Sequence, residues 1–195
     1  MTALDIGANK GLTTVAIARR IGPGGRGHAF EPVPEYYRRL QANLFRNGVH
    51  NVRAYRLALG DRLGRVDYYK NGGGSGIVPK DGAEKLSVEV TTLDSFAEEQ
   101  RLGRVDLINM DCEGSELRVL KGGERTLQTG ALKLFCEVHR GRLDALGHSL
   151  AELVTWLEDR GFRVRPVLIA DLDKDAGYED CTHIFACRDA ARGRP

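Results

Sequence analysis

Five ionisable side chains stand at the ends of two apolar runs. "INMDCEGSE" carries Asp111, Glu113 and Glu116, and "FCEVH" carries Glu137 and His139. If these runs are neighbouring strands, the five groups meet at one rim of a sheet. Such a set can take the proton of a hydroxyl as it attacks an electrophile, and a positioned base is worth about 10²–10⁴-fold in rate. His139 titrates in the useful range, and Asp111 or Glu113 serves equally well as the base or as the group that orients the hydroxyl. Glu137 completes the candidate catalytic set of Asp111, Glu113, His139 and Glu137. Glu116 fits better as the cap of a helix that starts beside it, with Ser115 sharing that role.

A second cluster opens the chain: "ALDIGANKGLTT" sets Asp5, Gly7, Ala8, Asn9 and Gly11 in one turn after an apolar run. A nucleoside-triphosphate loop needs Lys after its last glycine, and Gly11 is followed by Leu12. A dinucleotide loop needs glycine where Asp5 stands, and a carboxylate facing a pyrophosphate is unfavourable. The ligand group near Asp5 is therefore cationic. S-adenosylmethionine fits, with its ammonium and sulfonium toward the acidic strand end and its carboxylate received by amides of the following helix. Gly7 and Gly11 let the main chain approach closely. Glu31, twenty residues after Gly11, can accept hydrogen bonds from both ribose hydroxyls. In "LALGD", Ala58 and Leu59 form an apolar shelf for adenine. Asp111 belongs to both sets, as cofactor contact and as candidate base.

Metal-type residues occur as Cys136-x-x-His139 and Cys181-x-His183-x-x-x-Cys187. Strand alternation puts His183 and Cys187 on one face, but neither motif completes a four-ligand set. No metal ligand is assigned, and a carboxylate-bound Mg²⁺ at Asp111 and Glu113 stays open.

The elements that position these groups read as a parallel α/β pattern. Strands are expected at 3–6, 27–32, 51–60, 105–111 and 132–139. Helices are expected at 12–21, with Val15, Ala16 and Ala18 packed, and at 34–45, with Tyr36, Leu40 and Leu44 on one face. A further helix is expected around 117–127. The last runs from 150 to 160, packing Leu150, Leu153, Val154 and Leu157, with Trp156 in the core. "FRVRPVLI" and "THIFACR" close the sheet as an antiparallel pair. Between 61 and 90 lies an irregular insertion: two extra strands around "NGGGSGIVPKDG", which shapes the acceptor pocket. Tyr68 and Tyr69 read as packing residues.

The chain of 195 residues suffices for one domain with a proper core. Its net charge of +2, from interspersed opposite charges, argues against a nucleic-acid surface. No apolar run approaches the roughly 20 residues that span a bilayer. With no signal-peptide pattern and four cysteines that suggest no disulfide scaffold, the expected location is the cytoplasm. Oligomeric state is not written in these patterns.

These residues resemble the FkbM-type S-adenosylmethionine-dependent methyltransferases. The matching stretches are "LDIGANKGLTT", "AFEPVPEYYRRLQANLFRNG", "LALGD", "TTLDSF", "VDLINMDCEGSELRVLKGG" and "CEVH", in order from residue 4 to 139. The resemblance implies an α/β class I methyltransferase fold, Rossmann-like and three-layered. Its sheet would have seven mostly parallel strands, the last antiparallel. It implies methyl transfer to a hydroxyl of a small molecule or saccharide. Asp5, Gly7, Ala8, Asn9 and Gly11 match the cofactor loop, Glu31 and Pro32 the ribose and adenine side, and Asp111, Glu113, Gly114 and Glu116 the signature after the fourth strand. Members usually carry Lys where this chain has Asn109. The chain also starts almost on the first strand, where relatives carry additional sequence, so it is a minimal member or a truncated one. The expected organisation is a single domain over 1–188 with a flexible tail at 189–195. The alternatives are a degenerate fold kept as a binding module and an RNA methyltransferase.

Overall fold

In the computed structural model, which describes residues 1–167 and 181–189, the apolar runs form a seven-stranded sheet flanked by helices. The first half is β1 (Thr2–Ile6), α1 (Leu12–Ile21), β2 (Arg26–Phe30), α2 (Pro34–Arg46) and β3 (Val52–Tyr55). An excursion follows through β4 (Ala58–Gly60), β5 (Gly64–Lys70), β6 (Glu84–Thr92) and α3 (Leu93–Glu99). The second half is β7 (Leu107–Met110), α4 (Glu116–Lys121), α5 (Glu124–Leu127), β8 (Leu132–His139), α6 (Arg140–Ala145), α7 (Leu150–Glu158), β9 (Arg163–Val167) and β10 (Cys181–Arg188).

The strand order is β3-β2-β1-β7-β8-β10-β9. β1 lies parallel between β2 and β7, and β8 is parallel to β7, so Ile6, Met110 and His139 end on the same rim. The chain reverses its direction of travel across the sheet between β1 and β7, where open α/β sheets bind ligands. β10 runs antiparallel between β8 and β9 and sets His183 opposite Glu137. Leu4, Ile6, Ile108, Met110, Leu134, Cys136 and Val138 are at most 1% exposed, as expected for strands covered on both faces.

Several elements depart from local expectation. The run 51–60 splits: β3 stays in the main sheet, whereas β4 pairs with β6 in a three-stranded sheet of order β4-β6-β5. The helix expected over 117–127 breaks at Gly122–Gly123. A Cβ on Gly122 would lie 1.9 Å from the Gly60 carbonyl, so this close approach holds β4 against the helix end. α6 follows β8 without a loop and was not anticipated. On α1, Thr14, Val15 and Ala18 are buried and Ala16 is exposed, because Thr14 is drawn inward by its hydrogen bond to Asp5. Tyr36, Leu40 and Leu44 are buried as a face of α2. On α7 the buried residues are Leu153, Trp156 and Leu157, with Leu150 and Val154 partly covered.

Lys70 of the second sheet pairs with Glu35 of α2 at 2.8 Å, which ties the excursion to the first half of the main fold. Cys112, Cys136 and Cys187 are free thiols. Among the described residues no helix is long and apolar enough to cross a membrane. The tail expected at 189–195 lies outside the described residues except for Asp189, as do residues 168–169 of the ninth strand run.

Candidate active site

The turn after β1 takes its shape from positive φ angles at Gly7 (84°), Asn9 (48°) and Gly11 (86°). A Cβ on Gly7 would fall 1.8 Å from the Asp111 carbonyl oxygen, and one on Gly11 would fall 2.5 Å from Leu40 Cδ1. These glycines therefore let the turn press against β7 and α2, where close approach to a ligand was expected. The amides of Gly7 and Ala8 donate to the Phe30 carbonyl at 3.1 and 2.9 Å, which ties the turn to the end of β2.

Asp5 lies beneath this turn, 2% exposed. Its Oδ1 accepts the Asn109 side-chain amide at 2.8 Å and its Oδ2 accepts the Thr14 hydroxyl. Burial pushes its carboxyl pKa up, against the lowering effect of both hydrogen bonds. Asp5 thus braces the turn from behind. Asn109, in the position where the resembled family usually has Lys, supplies a neutral donor to it.

Glu31 sits at the end of β2, 4% exposed. Its Oε2 accepts the Asn9 amide at 2.9 Å and its Oε1 accepts the Val33 amide at 2.7 Å. Burial is the largest influence and drives its pKa to about 7, although both amides favour the charged form. Each carboxylate oxygen retains a lone pair, and the adjacent Asn9 Oδ1 is buried with no hydrogen-bond partner among the described residues. A ligand presenting several donors, such as a ribose diol or an ammonium, matches this concentration of acceptors.

Beside the turn, Gly7, Phe30, Pro32, Ala58 and Leu59 line an apolar pocket closed by Tyr68 and Ile77, with Asp61 and Cys112 also on its wall. A flat heterocycle with a polar edge suits it. Pro32, Ala58 and Leu59 are residues expected at the cofactor from the sequence, whereas Asp61, the last residue of "LALGD", is an additional lining residue. Tyr68, read as packing, lines this pocket and donates its hydroxyl to the Ser75 carbonyl at 2.8 Å.

The acidic strand ends do come together. His139 Nε2 lies 3.2 Å from Glu113 Oε2 and 3.6 Å from Glu137 Oε1. Its Nδ1 lies 3.5 Å from Glu116 Oε1 and 3.9 Å from Asp111 Oδ1, distances and angles that make no hydrogen bond. Burial disfavours charge on His139, but the surrounding Glu116, Glu113 and Asp111 prevail and raise it to about 9. Asp111 rises to about 7 through burial and the charge of Glu137. Burial likewise raises Glu113, against His139 and Arg142.

Glu116 partly matches its expected role: its Oε1 accepts the Gly114 amide at 2.9 Å ahead of α4, yet its side chain is 0% exposed and faces His139. Ser115 makes no side-chain cap bond. Arg142, missed in the sequence, stands 2.8 Å from Glu113 Oε2. Nothing local marks it, since α6 was not anticipated.

A family model described as the methyltransferase FkbM domain matches residues 5–164. The 2-O-methyltransferase NoeI of Sinorhizobium fredii is 32% identical over 146 residues, covering 64% of this chain and 58% of the relative. Methyltransferase sdnD of Sordaria araneosa is 32% identical over 153 residues, covering 61% of this chain and 59% of the relative. The chain thus spans about three-fifths of the length of these two curated relatives. The 31-O-demethyl-FK506 methyltransferase FkbM of Streptomyces tacrolimicus is 28% identical over 193 residues, covering 83% and 72% of the two chains. Among solved structures, the O-methyltransferase TomG of Streptomyces achromogenes, in complex with SAM, superposes with a TM-score of 0.57 at 14% identity. It covers 97% of this chain and 73% of its own. That likeness establishes the class I methyltransferase fold with its antiparallel last strand. The family match, over most of the chain, establishes more: this chain belongs to the FkbM methyltransferase domain family.

Proposed function

We propose that this chain is an S-adenosylmethionine-dependent O-methyltransferase whose acceptor is a hydroxyl of a small molecule or saccharide. The observation that carries the reading is the juxtaposition of the apolar pocket with the acidic cluster, Cys112 of the pocket wall lying between Asp111 and Glu113 in the chain. Relatives named for O-methylation, NoeI and FkbM, support the same chemistry.

S-adenosylmethionine supplies a methyl group activated by a sulfonium leaving group. Glu31 and Asn9 accept the ribose hydroxyls, the Ala58–Leu59 shelf with Pro32 holds the adenine, and Asp61 stands at its polar edge. Ala8 and Gly11 keep the turn small over the brace of Asp5. Asp111 is the most exposed member of the cluster, its side chain 41% exposed against 20% for Glu137, 12% for His139 and 10% for Glu113. Asp111 therefore meets the acceptor. As the acceptor oxygen forms its bond to the methyl carbon and the carbon–sulfur bond breaks, the hydroxyl proton passes to Asp111. Burial and the nearby charge of Glu137 raise the Asp111 carboxyl to about 7, which suits it to take a proton near neutral pH. Such a base contributes about 10²–10⁴-fold.

Calorimetric titration with S-adenosylmethionine, with NAD as control, tests the cofactor half. Selective micromolar binding is expected, and heat from NAD instead overturns the reading. Acceptor screening among sugars and hydroxylated metabolites, read as S-adenosylhomocysteine release, tests the other half. Asp111→Asn should lose most turnover while keeping cofactor binding.

A further inference from the structure

Four carboxylates, Asp111, Glu113, Glu116 and Glu137, gather around His139. Glu113 has Arg142 beside it. That leaves Asp111, Glu116 and Glu137 around one imidazole, with His183 3.3 Å from the far oxygen of Glu137. Buried carboxylates of like sign repel strongly in a low-dielectric setting, and an unpaired one is costly.

The unpartnered atoms show where relief is directed. Asp111 Oδ1, Glu113 Oε2, Glu116 Oε2 and His139 Nδ1 are buried with no hydrogen-bond partner among the described residues, and of these Glu113 Oε2 has the Arg142 guanidinium 2.8 Å away. The Glu116 side chain is 0% exposed, with its other oxygen 3.5 Å from His139 Nδ1. Buried polar groups in native proteins nearly all find partners, so the unpartnered carboxylate oxygens of Asp111 and Glu116 beside this ring point to a ligand that accepts electron pairs. Each of Asp111, Glu137 and His139 offers one donor atom, and these atoms all lie within 4.8 Å of one another. Three donors about 2.1 Å from one ion sit roughly 3–3.6 Å apart, so closure takes a contraction of up to about 1–2 Å.

We propose that Asp111, Glu137 and His139 form a divalent-cation site of Mn²⁺ or Mg²⁺ type. It would receive the acceptor hydroxyl of the reaction proposed above, and it rests on that reading for its role. Two carboxylate oxygens and one imidazole, whose proton the cation displaces, suit a hard cation that tolerates nitrogen, so Mn²⁺ is the better probe. His183, across the strand pair, fixes the orientation of Glu137, as an outer partner does in metal sites. Asp111 is shared: Oδ1 is buried toward the cluster, whereas the side chain as a whole is 41% exposed, so Oδ2 faces the acceptor. The cation polarises the acceptor O–H, and the proton leaves for Oδ2 as the oxygen–carbon bond forms and the carbon–sulfur bond breaks.

The test is titration of the purified chain with Mn²⁺ alone, read as loss of the free-ion electron paramagnetic resonance signal. Binding of one ion, displaced by excess Mg²⁺, is expected. Asp111→Asn, Glu137→Gln and His139→Gln should each weaken it by about tenfold or more. An electron spin-echo experiment on the wild-type protein should show ¹⁴N coupling from a directly bound imidazole, a readout that needs no variant to fold. Absence of Mn²⁺ binding, absence of that coupling, or wild-type affinity in any of the three variants overturns the site. Titration of the same preparation with S-adenosylmethionine separates this failure from failure of the methyltransferase reading, since cofactor binding does not need the cation.

Discussion

The Arg142 guanidinium stands 2.8 Å from the Glu113 carboxylate and, through the same nitrogen, donates to the Gly74 carbonyl at 2.6 Å. One side chain of α6 therefore ties the acidic cluster to the glycine-rich loop of the excursion. Gly76 of that loop packs so closely on Glu113 that an added Cβ would lie 3.0 Å from its carbonyl oxygen.

Replacing Arg142 with Met should free this loop. Hydrogen exchange at the amides of residues 74–76 should accelerate by roughly tenfold or more, while strands of the main sheet keep their protection. Loss of a charged partner for a mostly buried carboxylate should cost about 1–3 kcal/mol of stability. Unchanged exchange would mean that the Tyr68–Ser75 and Tyr69–Gly76 bonds hold the loop by themselves.

Glu31 carries a pH signature. Its folded pKa of about 7 lies above the ordinary 4.5, so the folded protein binds the proton more tightly than the unfolded chain. Its favourable contribution is complete below pH 4.5 and is lost as pH rises through 7, a swing of roughly 3 kcal/mol. Asp5 and Tyr68 are the titratable neighbours that bear on it. Glu31→Gln cannot accept both amides and should carry a constant penalty, but without the slope. Denaturation from pH 4 to 8 should therefore show the variant gaining on wild type as pH rises, and a constant gap contradicts this.

Gly7→Ala should be among the most damaging small changes in the chain. The residue has φ of 84°, and the new methyl would strike the Asp111 carbonyl. A loss of about 2–4 kcal/mol is expected, with cofactor affinity falling because the turn is pushed from the end of β7. Gly48→Ala, also at positive φ but facing open space, provides the control for backbone strain alone.

Thr14→Val preserves shape and removes the donor to Asp5 Oδ2. The buried carboxylate keeps Asn109 as its remaining side-chain partner, so about 1–3 kcal/mol should be lost in urea denaturation. Thr14→Ser should restore most of it. A valine variant as stable as wild type, with the serine variant weaker, would show that the methyl, not the hydroxyl, matters there.

Local pattern determined a good deal of this protein. The turn from Asp5 to Gly11, the acidic residue ending β2 and the polar ends of β7 and β8 are each written in a few consecutive residues, because turn chemistry and strand termini depend on near neighbours. The amphipathic face of α2 was legible for the same reason, since Tyr36, Leu40 and Leu44 recur at the helical period. Tertiary structure decided what contacts distant in sequence decide. The Gly60–Gly122 approach pulls β4 out of the main sheet and breaks the helix after Lys121. Antiparallel insertion of β10 beside β8 brings His183 to Glu137. The start of α6 directly after β8 swings Arg142 onto Glu113. Asp5 was recognisable as important, but only packing beneath the turn shows it bonded to Thr14 and Asn109, because a side chain's partners are set by which elements close around it. The identities of the chemical groups were local; their division into brace, pocket and charged cluster was made by the sheet order.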